Sequence, residues 1–166
     1  MKIMKKIIIK KCEKIKVVLT DVDGVLTDGG MYYTDKGDIM KRFFARDGMG
    51  VTLLRKKNIP TAIVTKEKTK IVKEWAKRMK IDKVFDGIVQ KDLILDKVCE
   101  KYNVSPSQVA YIGDDVNDMG LLKIVGLSAA PNDCSKELKK KVDYVCEKNS
   151  GFGAFRELVD IILNKK

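Results

Sequence analysis

The chain has 166 residues, 34 basic and 23 acidic, for a formal charge of +11; 45% are apolar and 34% charged. That length and balance exclude a disordered chain and leave room for one domain with a substantial core. Histidine is absent, which excludes Ser-His-Asp and Cys-His hydrolases, a histidine-ligated zinc site and a histidine general base, so acid–base work falls to Asp, Glu, Lys, Tyr or Cys.

Residues 1–14 read as a basic N-terminal segment, since residues 1–16 carry seven lysines and one glutamate. The apolar run Ile7-Ile8-Ile9 is too short for a signal-peptide core, and no run approaches the ~18 apolar residues of a membrane span. A cytoplasmic protein without membrane contact is expected, with a single domain over 15–166. The cysteines Cys12, Cys99, Cys134 and Cys146 form no Cys-x-x-Cys pair and are expected as free thiols in a reducing compartment. No basic stripe interleaved with aromatics occurs, so the positive charge reads as a solvated lysine-rich surface and nucleic acid is not expected as a partner.

The run Ile15 to Thr20 is β-branched, ends abruptly at Asp21 and predicts a buried strand. Further strands are expected at Thr61–Val64, Val84-Phe85, Val109–Ile112, Gly126–Ala129 and Tyr144-Val145. Between them, helical spacing is found over 47–57, 67–79, 92–102, 117–125 and 152–163. Strands alternating with helices predict an α/β fold with a parallel sheet covered on both faces, whose ligands bind at the carboxyl ends of the strands. One segment breaks the alternation: residues 30–44 predict a β-hairpin turning at Gly37, inserted after the first strand. Its aromatic and apolar content, with Tyr32 and Phe43 foremost, predicts packing against another subunit.

Two acid clusters end two of the expected strands. Asp21-Val22-Asp23-Gly24 follows the first, and Gly113-Asp114-Asp115-Val116-Asn117-Asp118 follows Val109–Ile112. A lone Asp-x-Asp is commonly a turn, and Asp115 or Asp118 alone would be a helix cap. Two clusters at strand ends of one parallel sheet can instead converge on one cation, and hard carboxylate oxygens select Mg²⁺. Thr65, after the strand at 61–64, and Lys91, at a helix start, could hold phosphoryl oxygens at the same edge. A Gly-x-x-x-x-Gly-Lys-Ser/Thr loop is absent, and the acid-rich segment 113–118 comes too late in the chain for a response-regulator receiver.

In this order (Asp21-Val22-Asp23-Gly24-Val25-Leu26-Thr27, Thr65, Lys91, Gly113–Asp118) the motifs resemble the haloacid dehalogenase superfamily of phosphotransferases over roughly residues 15–163. The resemblance implies a Rossmann-like three-layer sandwich with a central parallel sheet. It implies Asp21 as nucleophile, Asp23 as acid and base, and Thr65 and Lys91 on the phosphoryl oxygens. Mg²⁺ would be held by Asp21, the Asp23 carbonyl and Asp114, supported by Asp118 or Asp115. The spacing leaves no room for a cap domain. The hairpin, Arg46-Asp47-Gly48-Met49-Gly50 and the tail Ser150–Glu157 resemble the cap-less phosphatases of 3-deoxy-ulosonic acid phosphates. In that group four hairpins join a homotetramer and neighbours cover each site. The group acts on small anionic sugar-acid phosphates: 3-deoxy-D-manno-octulosonate 8-phosphate, or nonulosonate 9-phosphates.

Lys66-Glu67 departs from the octulosonate branch, which usually has Gly-Arg there; Glu67 looks more like the nonulosonate branch. Trp75 stands where that branch offers an arginine, and is expected as a core anchor. Arg46, Gly48, Lys66, Glu67 and Arg156, with Asp23, are the substrate-contact candidates. Two other readings stay open at this point: an inactive tetramerisation module, and a polynucleotide phosphatase.

Overall fold

The computed structural model describes residues 2–164. Helix α1 (Lys2–Cys12) precedes strand β1 (Val17–Thr20) and the hairpin β2 (Tyr32–Thr34) and β3 (Gly37–Met40). Next come α2 (Ala45–Lys56), β4 (Thr61–Val64), α3 (Lys70–Met79) and β5 (Lys83–Phe85). A 3-10 turn, Lys91–Ile94, leads into α4 (Leu95–Tyr102), followed by a second 3-10 turn (Pro106–Gln108), β6 (Val109–Ile112), a third 3-10 turn (Val116–Asp118) and α5 (Met119–Leu122). The chain closes with β7 (Leu127–Ala130), α6 (Lys136–Lys139), β8 (Tyr144–Val145) and α7 (Ala154–Leu163).

Six strands form one sheet in the order β5-β4-β1-β6-β7-β8, every neighbouring pair parallel. Successive strand side chains point to opposite faces, and here each face has its own core. Val18, Ile63, Ala110 and Ile112 pack with Val51 and Leu54 of α2, Val72 and Ala76 of α3, and Phe155 and Leu158 of α7. Val17, Leu19, Ala62, Val64 and Tyr111 pack on the other face with Leu95 and Val98 of α4, Leu121 of α5 and Leu138 of α6. This is the three-layer arrangement that the alternation predicts, and it places all parallel strand ends on one edge.

Several boundaries differ from the sequence expectation. Helix α3 begins at Lys70 rather than 67, because Thr69 caps it, its side chain accepting from Val72 N–H. It stops at Lys80, whose φ is 58°. The stretch expected as a helix over 117–125 starts within the 3-10 turn Val116–Asp118 and is α-helical over Met119–Leu122. The basic N-terminal segment contains a helix, α1, with Ile8 and Cys12 packed into the core beside α7 and Lys11 paired to Asp143.

The hairpin pairs Tyr33 with Asp38 and Thr34 with Gly37, and Gly37 has φ 104° as the turn requires. It forms a separate two-stranded sheet. Met31, Tyr32, Tyr33, Ile39 and Met40 are all exposed. Phe43 points another way: its ring stacks on Trp75 at 4.5 Å, which makes Trp75 a half-buried anchor for the base of the hairpin. Phe43 is therefore spent within the chain, and the apolar face offered outward belongs to β2 and β3.

Candidate active site

Strand β1 delivers Asp21 to the carboxyl edge, and adjacent β6 delivers Gly113 and Asp114. Asp21 is buried; its Oδ1 accepts from Val22 N–H at 2.7 Å and its Oδ2 lies 2.6 Å from Lys91 Nζ. Lys91, its side chain 1% exposed, also reaches Asp118 Oδ1 at 2.7 Å. Asp118 is fully enclosed and fully used. Tyr111 O–H and Lys91 donate to Oδ1, and the Asp114 and Asp115 amides donate to Oδ2 at 2.9 and 3.2 Å.

Two glycines let these segments close on one another. A Cβ on Gly24 (φ 86°) would stand 2.0 Å from Asp114 Oδ2, and one on Gly113 would stand 2.4 Å from Asp118 Cγ.

Burial pushes the Asp21 carboxyl up to about 7, with Lys91 opposing and the Asp118 charge adding. Burial, then the charges of Asp21 and Asp118, push Asp114 up to about 8. Burial alone would lower the Lys91 ammonium, but those carboxylates outweigh it and hold Lys91 above its ordinary value. Burial, reinforced by Asp21 and Asp118, also raises the Tyr111 phenol, so it stays a donor. The site thus crowds three carboxylates around one ammonium, a charge deficit that a cation corrects.

One oxygen from each of Asp21, Asp114 and Asp118 lies within 4.8 Å of the others. An all-oxygen donor set of this kind fits Mg²⁺. Asp118 already holds four hydrogen bonds, so it supports from behind, whereas Asp114 has no hydrogen bond to its carboxylate among the described residues. Asp115 is exposed and caps the turn at Val116–Asp118 through Val116 N–H; it stands outside the cluster.

Asp23 lies two residues beyond Asp21, half-buried, with Lys41 Nζ at 2.8 Å and Thr27 Oγ1 at 3.2 Å from its Oδ1. Lys41 also pairs with Asp38 at 3.3 Å. Burial would lower the Lys41 ammonium, and its bonds to Asp23 and then Asp38 raise it overall. Thr65 is buried at the end of β4, beside β1; its hydroxyl oxygen accepts from Glu67 N–H at 3.2 Å, which leaves the hydroxyl proton to donate. The Asp21 loop is pinned from the tail: Ser150 Oγ lies 2.5 Å from the Gly24 carbonyl, and Gly151 N–H donates to the Val25 carbonyl.

The other substrate candidates are placed differently. Lys66 is exposed and Glu67 half-buried just past Thr65. Gly48 is buried where α2 meets α3, against Met79. Arg46 and Arg156 line a cavity of about 340 Å³ with Phe44, Tyr144, Lys148 and Phe152, and no residue of the carboxylate cluster lines it. Arg156 Nε is 2.8 Å from Asp160.

Sequence reasoning missed Tyr111, Lys41 and Ser150. Tyr111 sits mid-strand and reads as core; its register opposite Leu19 of β1 is what carries its hydroxyl to the site. For Lys41 the available signal was a lysine directly after the apolar pair Ile39-Met40 that ends β3, three residues from Asp38.

The parallel sheet, the two glycine-backed carboxylate loops at its edge and the lysine between them define a haloacid dehalogenase-like hydrolase. Residues 51–158 match that family's model, and the chain belongs to it. Within the family its relatives include phosphatases of one sugar-acid phosphate. It is 36% identical to the 3-deoxy-D-manno-octulosonate 8-phosphate phosphatase of Escherichia coli (strain K12), over 94% of this chain and 83% of that one. The corresponding phosphatase of Haemophilus influenzae is solved in a cobalt-bound form; it superposes with a TM-score of 0.91 at 37% identity, covering 93% of this chain and 91% of that one. The Moraxella catarrhalis enzyme, solved with magnesium, phosphate and KDO, superposes with a TM-score of 0.92 at 31% identity, covering 96% and 91%. Among the described residues, no helix is long and apolar enough to cross a membrane.

Proposed function

We propose that this chain is a Mg²⁺-dependent phosphomonoesterase acting on 3-deoxy-D-manno-octulosonate 8-phosphate. The observation that carries the reading is the closed cluster of Asp21, Lys91, Asp114 and Asp118 beside Asp23, in a chain so alike along its length to phosphatases of that substrate. The relatives' shared substrate outweighs the departure at Lys66-Glu67, where the Glu67 amide is used to fix Thr65.

Asp21 attacks phosphorus with a carboxylate oxygen. The bond from phosphorus to the sugar oxygen breaks, its electron pair stays on that oxygen, and Asp23 supplies the proton. Asp23 then takes a proton from water as the water oxygen attacks phosphorus. The acyl-phosphate bond breaks, which restores Asp21 and frees inorganic phosphate. Lys91 and Thr65 donate to the phosphoryl oxygens throughout, where negative charge is spread in the transition state. Asp21 and Asp114, with Asp118 behind, would hold Mg²⁺, which would supply positive charge to offset the charge that builds on phosphoryl transfer. Arg46 and Arg156 are proposed for the sugar-acid carboxylate only in an assembly, since within one chain they line a separate cavity.

The test is steady-state kinetics on octulosonate 8-phosphate beside a nonulosonate 9-phosphate. A kcat/KM ratio favouring the 8-phosphate by about tenfold or more is expected, and Asp21→Asn should lower turnover at least ~10³-fold. A preference for the 9-phosphate would move the enzyme to the other branch; equal phosphate release by wild type and Asp21→Asn would end the phosphatase reading.

The assembly is proposed as a homotetramer joined through the 30–44 hairpin. Its support is the row of exposed apolar residues on β2 and β3, more than a solvated two-stranded ribbon sustains. Tyr33→Ser with Ile39→Ser should lower the mass seen by light scattering; an unchanged mass removes the hairpin from the interface.

A further inference from the structure

We infer that Lys41 is a positioning residue for Asp23, and that Asp38 in turn holds Lys41 in place. The inference deepens the phosphatase reading and rests on it. Lys41 follows β3 directly, and its side chain is 1% exposed. An ammonium so far from water is tolerated only beside anions. Two are provided: Asp23 Oδ1 at 2.8 Å and Asp38 Oδ2 at 3.3 Å. Apart from that ion pair, neither Asp38 oxygen has a hydrogen-bond partner among the described residues, so the Lys41 charge is what offsets the burial of that carboxylate.

On Asp23 both neighbours, Lys41 and Thr27, fall on Oδ1. The Lys41 ammonium donates to that oxygen, and the Thr27 hydroxyl shares its one proton between it and the Val22 carbonyl at 3.3 Å, so a proton carried by Asp23 sits on Oδ2. That oxygen has no partner among the described residues and is left for the leaving alcohol. Asp38 and Lys41 belong to the hairpin and its exit, so the same arm that carries the exposed apolar face also orients the acid.

The test uses the full chain with magnesium and two substrates. With 4-nitrophenyl phosphate the departing oxygen needs no proton near neutrality; with octulosonate 8-phosphate, a primary alkyl ester, it does. The readout is kcat/KM, which covers only the steps up to loss of the alcohol, so the later work of Asp23 on water does not enter. Lys41→Met should lower the alkyl value about 30-fold, with a loss at least about tenfold smaller on the aryl ester. Lys41→Arg should restore most of the difference. Because Lys41→Met strands the Asp38 carboxylate, Lys41→Met combined with Asp38→Asn is measured beside it, with Tm for each. The same selective loss in the double variant supports positioning. Equal losses on both substrates in single and double variants mean a structural role and overturn the inference, as do wild-type values. No turnover of either ester by wild type defeats the phosphatase reading, and the role of Lys41 falls with it.

Discussion

At the carboxyl edge of the sheet, burial pushes Asp21 and Asp114 up to about 7 and about 8. Between α2 and α7, burial pushes Asp47 up to about 7 as well. The surroundings separate the two regions. Asp21 and Asp114 lie with Asp118 around Lys91 and the Tyr111 hydroxyl. Asp47 is alone. Its Oδ1 accepts the Arg156 amide at the start of α7, its Oδ2 has no partner, and the Arg156 guanidinium is turned to Asp160. A raised carboxyl by itself therefore does not mark chemistry. Convergence of several acids on one cation does; a single acid with one backbone bond is a cap, here one helix capping another.

The comparison can be broken most severely by taking the cation from the first region. Lys91→Met leaves Asp21 and Asp118 buried without their counter-charge, and should lower the unfolding free energy by about 3–5 kcal/mol at pH 8. The loss should be smaller at pH 5, where the carboxyls can take up protons, and magnesium should recover part of it. Urea unfolding with and without magnesium checks this; a loss independent of both pH and magnesium would mean that the acids do not share one charge balance.

The second region is sharpened by Asp47→Asn. A carboxyl raised from 3.8 to about 7 keeps its proton in the folded chain after the unfolded chain has released it. Its contribution therefore falls as pH rises from about 4 to 7. Relative to the Asn variant, wild type should lose up to ~4 kcal/mol across that window. Parallel pH profiles of unfolding for the two proteins would show that Asp47 is ionised throughout. Activity on the aryl ester should follow Lys91, not Asp47.

Much of this was legible in the chain. The β-branched runs at 61–64 and 109–112 gave strands with those bounds, and the paired Asp clusters, each with a glycine, gave the edge where the site lies. What was not legible depends on register or on long reach. Helix α1 hides behind its lysines, and Ile8 and Cys12 mark the inward stripe among the described side chains. Thr69 outcompeted Glu67 as the start of α3 through one side-chain bond. Tyr111 and Lys41 reach Asp118 and Asp23 from 7 and 18 residues away in sequence, which no local pattern encodes. The cavity around Arg46 and Arg156 forms where α2 and α7 begin, and their sequence motifs carry no information on which way that cavity opens.

Residue 24 sets the narrowest tolerance in the pocket. Where every other amino acid carries carbon, Gly24 offers Asp114 a hydrogen, and the acid that follows β6 leans on the backbone that follows β1. An alanine there would lever the two loops apart before any substrate arrived. The spacing between nucleophile and counter-acid is thus written into an absence, one methyl group that the polypeptide does not have.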